Sequence, residues 1–135
     1  MAFNILIVDD SKVTRMMIGR TLTLARVPVQ TITEAENGED GLQKMRASPM
    51  DIVIADINMP VMNGVEMITQ MNNDASLSKI PVVVISTEGS ATRIEELRAM
   101  GVQAYVRKPF TPEGVRDTLK EVMGDWEDGA EKRPA

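Results

Sequence analysis

Five short β-branched and aliphatic runs recur along the chain: Ile5-Leu6-Ile7-Val8, Val29 to Ile32, Ile52-Val53-Ile54, Val82-Val83-Val84-Ile85 and Ala104-Tyr105-Val106. Most of them show no alternation of polar with apolar residues. Strands with that pattern are covered on both faces, as in a parallel sheet. The second run, with Gln30 and Thr31, fits least well. Helical patterns lie between the runs. Gly38, Gly41, Leu42 and Met45 fall at i, i+3, i+4, i+7, and Gly64, Met67, Ile68 and Met71 do the same. Val115, Leu119, Val122 and Met123 fall at i, i+4, i+7, i+8. In the first helix Ile18, Leu22 and Ala25 form one stripe, with Val13 and Met17 beside it. Asn63 with Glu66 has the form of a capping box, Thr111-Pro112 that of a cap followed by a first-turn proline, and Gly101 that of a C-terminal stop. Five βα units in succession, joined by right-handed crossovers, predict a doubly wound α/β fold.

Length and composition bound what such a fold can do. The 135 residues suit one domain, expected over residues 1–124, with a polar tail expected over 125–135. There is no cysteine, which excludes disulfides, thiolate metal sites and cysteine nucleophiles. There is no histidine, so imidazole serves neither as metal ligand nor as phosphoryl carrier. The net charge of −5 disfavours direct DNA binding, which needs a basic face. No charged leader precedes an apolar run and no run is long enough to span a bilayer, so a cytoplasmic protein with no membrane insertion is expected.

In open α/β sheets, function gathers where strands end at their carboxyl edge. The first run ends in Asp9-Asp10, the third in Asp56, the fourth in Ser86-Thr87 and the fifth in Lys108-Pro109. Taken singly, each is an ordinary turn or cap residue. Together they bring three carboxylates, a hydroxyl and an ammonium to one edge. Clustered carboxylates repel unless a hard cation holds them, and an all-oxygen donor set points to Mg²⁺ or Mn²⁺. A cation, an ammonium and a hydroxyl suit the oxygens of a phosphoryl group, and a carboxylate is a competent nucleophile toward one.

The motifs are Val8-Asp9-Asp10-Ser11, Asp56-Ile57-Asn58-Met59-Pro60 followed by Asn63-Gly64, Ile85-Ser86-Thr87-Glu88, and Tyr105-Val106-Arg107-Lys108-Pro109-Phe110. In their order and separations, from about Asn4 to Met123, the chain resembles the response-regulator receiver family, and in length and loop spacing its stand-alone chemotaxis members. The resemblance implies a flavodoxin-like five-stranded sheet of order 2-1-3-4-5. It also implies that Asp56 is the phosphoacceptor. Asp10, Asp56 and the Asn58 carbonyl would ligate Mg²⁺ directly, and Asp9 would act through bound water. Lys108, preceding a cis Pro109, would pair with the phosphoryl oxygens. Ser86 would follow the phosphoryl group, and Tyr105 would swing inward behind it.

Some positions depart from the family pattern. Thr87 stands where a small residue is usual, which crowds access to Asp56, and the switch hydroxyl is a serine. Ile57 leaves no tryptophan beside the acceptor, and Asn58 and Glu88 occupy positions that tune water access. Three rival readings fit less well. A haloacid-dehalogenase-type aspartyl phosphatase needs a second Asp two residues after its nucleophile, where Ser11 and Lys12 stand here. A flavodoxin-like FMN binder needs a phosphate-cradling loop after strand one, where the acidic pair would repel phosphate. A scaffold that no longer accepts phosphate would not need Asp9, Asp10, Asp56, Ser86 and Lys108 together.

The expected function is a single-domain response regulator that catalyses only its own phosphorylation and dephosphorylation. Its expected partners are a sensor histidine kinase or histidine phosphotransfer protein, and a downstream protein on the face of the fourth helix, strand five and the fifth helix. Motor control in chemotaxis, onward phosphotransfer in a phosphorelay, and binding of another partner are the outputs this leaves open.

Overall fold

A computed structural model describes residues 2–126. Strands and helices alternate throughout: β1 (Phe3–Val8), α1 (Lys12–Leu24), β2 (Val29–Ala35), α2 (Gly38–Ala47), β3 (Ile52–Ala55), α3 (Gly64–Asn72), β4 (Val82–Ser86), α4 (Ala91–Ala99), β5 (Ala104–Arg107) and α5 (Pro112–Met123). The five strands form one parallel sheet in the order β2-β1-β3-β4-β5.

Successive strand residues point to opposite faces, and both faces are apolar. Leu6, Val8, Val53, Ala55, Val82 and Val84 meet Leu42 and Met45 of α2, Met67, Ile68 and Met71 of α3, and Leu97 of α4. Ile5, Ile7, Ile52, Ile54, Val83 and Ile85 meet Ile18 and Leu22 of α1 and Val115 and Leu119 of α5. This double cover, expected from the unbroken runs, holds for β1, β3 and β4. It does not hold at the edges, where most of β2 and β5 is only partly buried or exposed. An edge strand has one neighbour instead of two, so Gln30, Thr31 and Glu34 are tolerated there.

The expected caps are present. Asn63 and Glu66 form the reciprocal capping box, Thr111 caps α5 with Pro112 in its first turn, and Gly101 takes φ 95° after α4. In the first helix the expected stripe of Ile18, Leu22 and Ala25 is buried. Val13 and Met17 are exposed, because at about 100° per residue they lie about 140° and 100° round the helix from Ile18.

The polar tail expected from Asp125 also needs correction at its start. Gly124 ends α5 with φ 87°, and Trp126, two residues on, is 8% exposed. Its ring meets Phe3 edge-on at 6.1 Å between centroids, and Lys120 Nζ lies 5.3 Å from the indole centroid. The rest of the expected tail, 127–135, lies outside the described residues. Truncating a buried tryptophan removes a large apolar contact, so Trp126→Ala should lower stability by about 3 kcal/mol. An unchanged urea midpoint would place the indole outside the folded unit. Phe3 opens β1 and Asp9 comes directly after it, so six residues at about 3.3 Å each put the indole about 20 Å from the acidic edge.

Candidate functional site

Register determines which side chains meet. Val8 pairs with Ala55, so Asp9 and Asp56 leave adjacent strands side by side. The Asp56 N–H donates to the Val8 carbonyl at 3.0 Å, which fixes that step. Ser86 pairs with Arg107, and the Lys108 N–H donates to the Ser86 carbonyl at 2.9 Å. The Lys108–Pro109 peptide is cis, as the resemblance implied. The residues picked out at four strand ends therefore share one edge of the sheet.

Lys108 sits between two carboxylates. Its Nζ donates to Asp9 Oδ2 at 3.2 Å and to Asp56 Oδ2 at 3.1 Å. The remaining oxygens of both acids face backbone donors, with Ser11 N–H on Asp9 Oδ1 at 2.9 Å and Ile57 N–H on Asp56 Oδ1 at 2.6 Å. Carboxylate oxygens of Asp9, Asp10 and Asp56 lie within 4.8 Å of one another. Asp10 is exposed and Asp56 half-buried, whereas Asp9 is only 1% exposed.

Burial pushes the Asp9 carboxyl above its ordinary value, and the Asp56 charge adds to that; the Ser11 N–H and Lys108 pull the other way without cancelling it. Lys108 shows the opposite balance. Burial disfavours its charge, but the Asp56 hydrogen bond and both carboxylates outweigh burial and raise its pKa. The site is thus short of positive charge, and its carboxylate donors are all hard oxygens. That donor set fits Mg²⁺, and Mn²⁺ equally, with Asp9, Asp10 and Asp56 as the residues that would hold it.

The other predicted positions fall around this cluster. Ser86 is fully buried, and its Oγ accepts from the Glu88 N–H at 3.2 Å. Thr87 and Asn58 are exposed, and Glu88 pairs with Arg93. Tyr105 pairs with Val84, so Ser86, two residues along β4, shares its face of the sheet. The Tyr105 hydroxyl is already buried and has no hydrogen-bond partner among the described residues. Burial is the main reason its pKa is raised; the Ser86 hydroxyl opposes that shift from outside hydrogen-bond geometry.

Sequence reasoning missed two arginines. Arg15 Nη1 donates to the Asp9 carbonyl at 2.7 Å while its Nε pairs with Glu34 at 2.8 Å, bracing the acidic turn from α1. Its signal was weak, a lone cation one turn into a helix. Arg93 gave no signal, because its partner Glu88 lies five residues back, outside the helix.

A sheet that gathers acids, a buried hydroxyl and a bridging lysine at one edge defines a receiver. Residues 5–120 match the response regulator receiver domain, and the chain belongs to that family. Among its relatives, it is 35% identical over 121 residues to the chemotaxis protein CheY1 of Helicobacter pylori, covering 89% of this chain and 96% of that one. The solved structure of the chemotaxis response regulator CheY4 of Vibrio cholerae is 32% identical, with a TM-score of 0.80 over 90% of this chain and 99% of that one. The receiver domain of a sensor histidine kinase from Pseudomonas aeruginosa, solved with a magnesium ion in its active-site cleft, shares the fold. It has a TM-score of 0.80 at 18% identity, over 93% of this chain and all (100%) of that one.

Proposed function

We propose that this chain is a phosphorylation switch of the chemotaxis type, a signalling protein that modifies only itself. The observation that carries the reading is Lys108 bridging Asp9 and Asp56, with the Asp10 carboxylate in the same cluster. Asp56 attacks the phosphorus of a phosphohistidine on a sensor kinase or phosphotransfer protein. A P–N bond breaks, a P–O bond to the Asp56 carboxylate forms, and the imidazole leaves with the electron pair. Lys108 then passes from carboxylate to phosphoryl oxygens without leaving the site. Ser86 supplies a hydroxyl once it turns from the Glu88 N–H. Bound Mg²⁺ would neutralise charge on the carboxylates and the incoming phosphoryl group, held by Asp10, Asp56 and the Asn58 carbonyl, with Asp9 acting through water.

The names of the relatives favour a chemotaxis partner over other outputs. The face of α4, β5 and α5 is the surface this reading assigns to that partner. Incubation with acetyl phosphate and Mg²⁺, followed by peptide mass mapping, should find one phosphoryl group per chain, on Asp56, and none when the cation is chelated. Labelling elsewhere, or labelling indifferent to chelation, would overturn the reading.

A further inference from the structure

Three carboxylates meet at the acidic edge, and two of them are anchored there. Asp9 and Asp56 each accept from a backbone N–H and from Lys108 Nζ. The Asp10 carboxylate is exposed and has no such anchor among the described residues, yet it lies in the same cluster. With its side chain unheld, its place comes from its backbone.

That backbone is held by Arg15. The peptide unit from Asp9 to Asp10 is planar, so the direction of the Asp9 carbonyl also sets the Cα of Asp10. Arg15 Nη1 donates to that carbonyl at 2.7 Å. The guanidinium is gripped from the other side as well, where its Nε donates to Glu34 of β2 at 2.8 Å. The base of the side chain is fixed in α1, with the Arg15 N–H donating to the Ser11 carbonyl at 3.0 Å. Strand β2 therefore holds Asp9 twice, once directly through the Ala35 carbonyl, which accepts the Asp9 N–H at 3.0 Å, and once through Glu34 and Arg15. The Arg15 side chain is only 13% exposed. A planar fork with an acceptor on each side, largely out of water, is a stiffer link than a solvated surface pair.

We propose that Arg15 is a positioning residue: by fixing the Asp9–Asp10 peptide it holds the Asp10 carboxylate in the cluster with Asp9 and Asp56, and so sets the affinity for a divalent cation without touching the cation. A ligand already in place need not be ordered on binding, so outer-shell partners of this kind tighten a metal site. Charge acts with the opposite sign. A guanidinium behind the acids repels a divalent cation, so on charge alone its removal would tighten binding. Arg15 and Lys108 are thus two cations beside the same acids with opposite effects, because Lys108 competes for the carboxylate oxygens and Arg15 only aims one of them. The effect on affinity rests on the metal reading above; the hold on Asp10 does not.

Mn²⁺ titration of the whole chain, with free Mn²⁺ followed by electron paramagnetic resonance, measures the affinity. Arg15→Ala should weaken binding by about ten-fold, the lower end for loss of an outer-shell partner. Arg15→Lys keeps the charge, but one ammonium cannot hold the Asp9 carbonyl and Glu34 as a fork, so it should weaken binding too. Binding as tight as the wild type or tighter, in either variant, overturns the proposal. Urea midpoints show whether the fold is kept, and where Arg15→Ala does not fold, Arg15→Lys decides. The hold on Asp10 is read without metal. By ¹⁵N relaxation the Asp10 amide should have an order parameter of about 0.85 in the wild type and about 0.6 in both variants, with the Ile5 to Val8 amides unchanged. An Asp10 amide equally rigid in all three chains overturns the proposal. A wild type that binds no Mn²⁺ overturns the metal reading instead, and the relaxation comparison still decides whether Arg15 holds Asp10.

Discussion

Replacing Lys108 with methionine should cut phosphoryl uptake from acetyl phosphate by about 100-fold or more, while Mg²⁺ binds more tightly. The two effects have one cause. The ammonium lies 3.1–3.2 Å from Asp56 and Asp9, where it competes with a divalent cation for the same carboxylates. Removing it takes away a repulsive neighbour of the metal, which should tighten binding by about ten-fold. It also takes away a donor aimed at charge that develops on the phosphoryl group. Loss of one such donor costs about 100- to 1,000-fold in enzymes that stabilise oxyanions.

The pH dependence has a definite sign. Lys108 has a raised pKa, so its contribution to the fold is complete at neutral pH and is lost only as the pH rises through that value. Asp9 is raised as well, so its charge is a cost above its pKa, and acidification relieves the cost. In Lys108→Met two of the influences holding the Asp9 carboxyl down disappear, and its pKa should climb further. The metal-free variant is then least stable at neutral and alkaline pH, and Mg²⁺ should stabilise it more than it stabilises the wild type. Urea unfolding with and without Mg²⁺, alongside uptake measured by mass, checks all three outcomes. Uptake within a few-fold of wild type would show that Lys108 serves only as a counter-ion.

The sequence made the acidic edge legible because a parallel sheet leaves little freedom. Strands buried on both faces must run together, and the residues just past their carboxyl ends must then meet at one edge. Asp9, Asp56 and Ser86, at the ends of the doubly covered strands, are brought to that edge in this way, while Lys108 follows the partly exposed edge strand β5 and depends on the strand order as well. The stripes of α2 and α3 were legible for a similar reason, since Gly38, Leu42, Met67 and Ile68 fall on the 3.6-residue period and are buried. The misses have a common physical form. Trp126 is a single apolar residue in a polar stretch, and no period can be read from one residue. The Glu88–Arg93 pair crosses from a loop into a helix, where no regular spacing applies. The buried Tyr105 hydroxyl depends on a side-chain rotamer on an edge strand, which no sequence period encodes.

Gly64→Ala should destabilise the chain by about 3 kcal/mol and impair phosphoryl uptake with it. The reason is space rather than backbone freedom. A Cβ on Gly64 would lie 2.5 Å from the Asp56 carbonyl oxygen and 2.9 Å from Ile57 Cα. Both are backbone atoms, and neither can swing aside. The Gly64 N–H also donates to the Ile57 carbonyl at 2.8 Å, so the start of α3 and the acceptor turn cannot separate without losing that bond. Alanine favours a helix by up to about 1 kcal/mol over glycine, so the clash must outweigh a gain before any loss appears. Overpacking against immobile neighbours costs about 1–3 kcal/mol, and moving the Asp56 backbone would disturb its contact with Lys108 as well. Gly41 supplies the control. A Cβ there would meet Met67 Sδ at 3.1 Å and Val8 methyls at 3.2 and 3.4 Å, side-chain atoms that can shift by a few tenths of an ångström. Gly41→Ala should therefore cost less than about 1 kcal/mol and leave uptake near wild type. Urea midpoints and acetyl phosphate labelling of the two variants decide the matter. Equal stability would mean that the acceptor turn yields to a methyl group, and that α3 does not fix the position of Asp56.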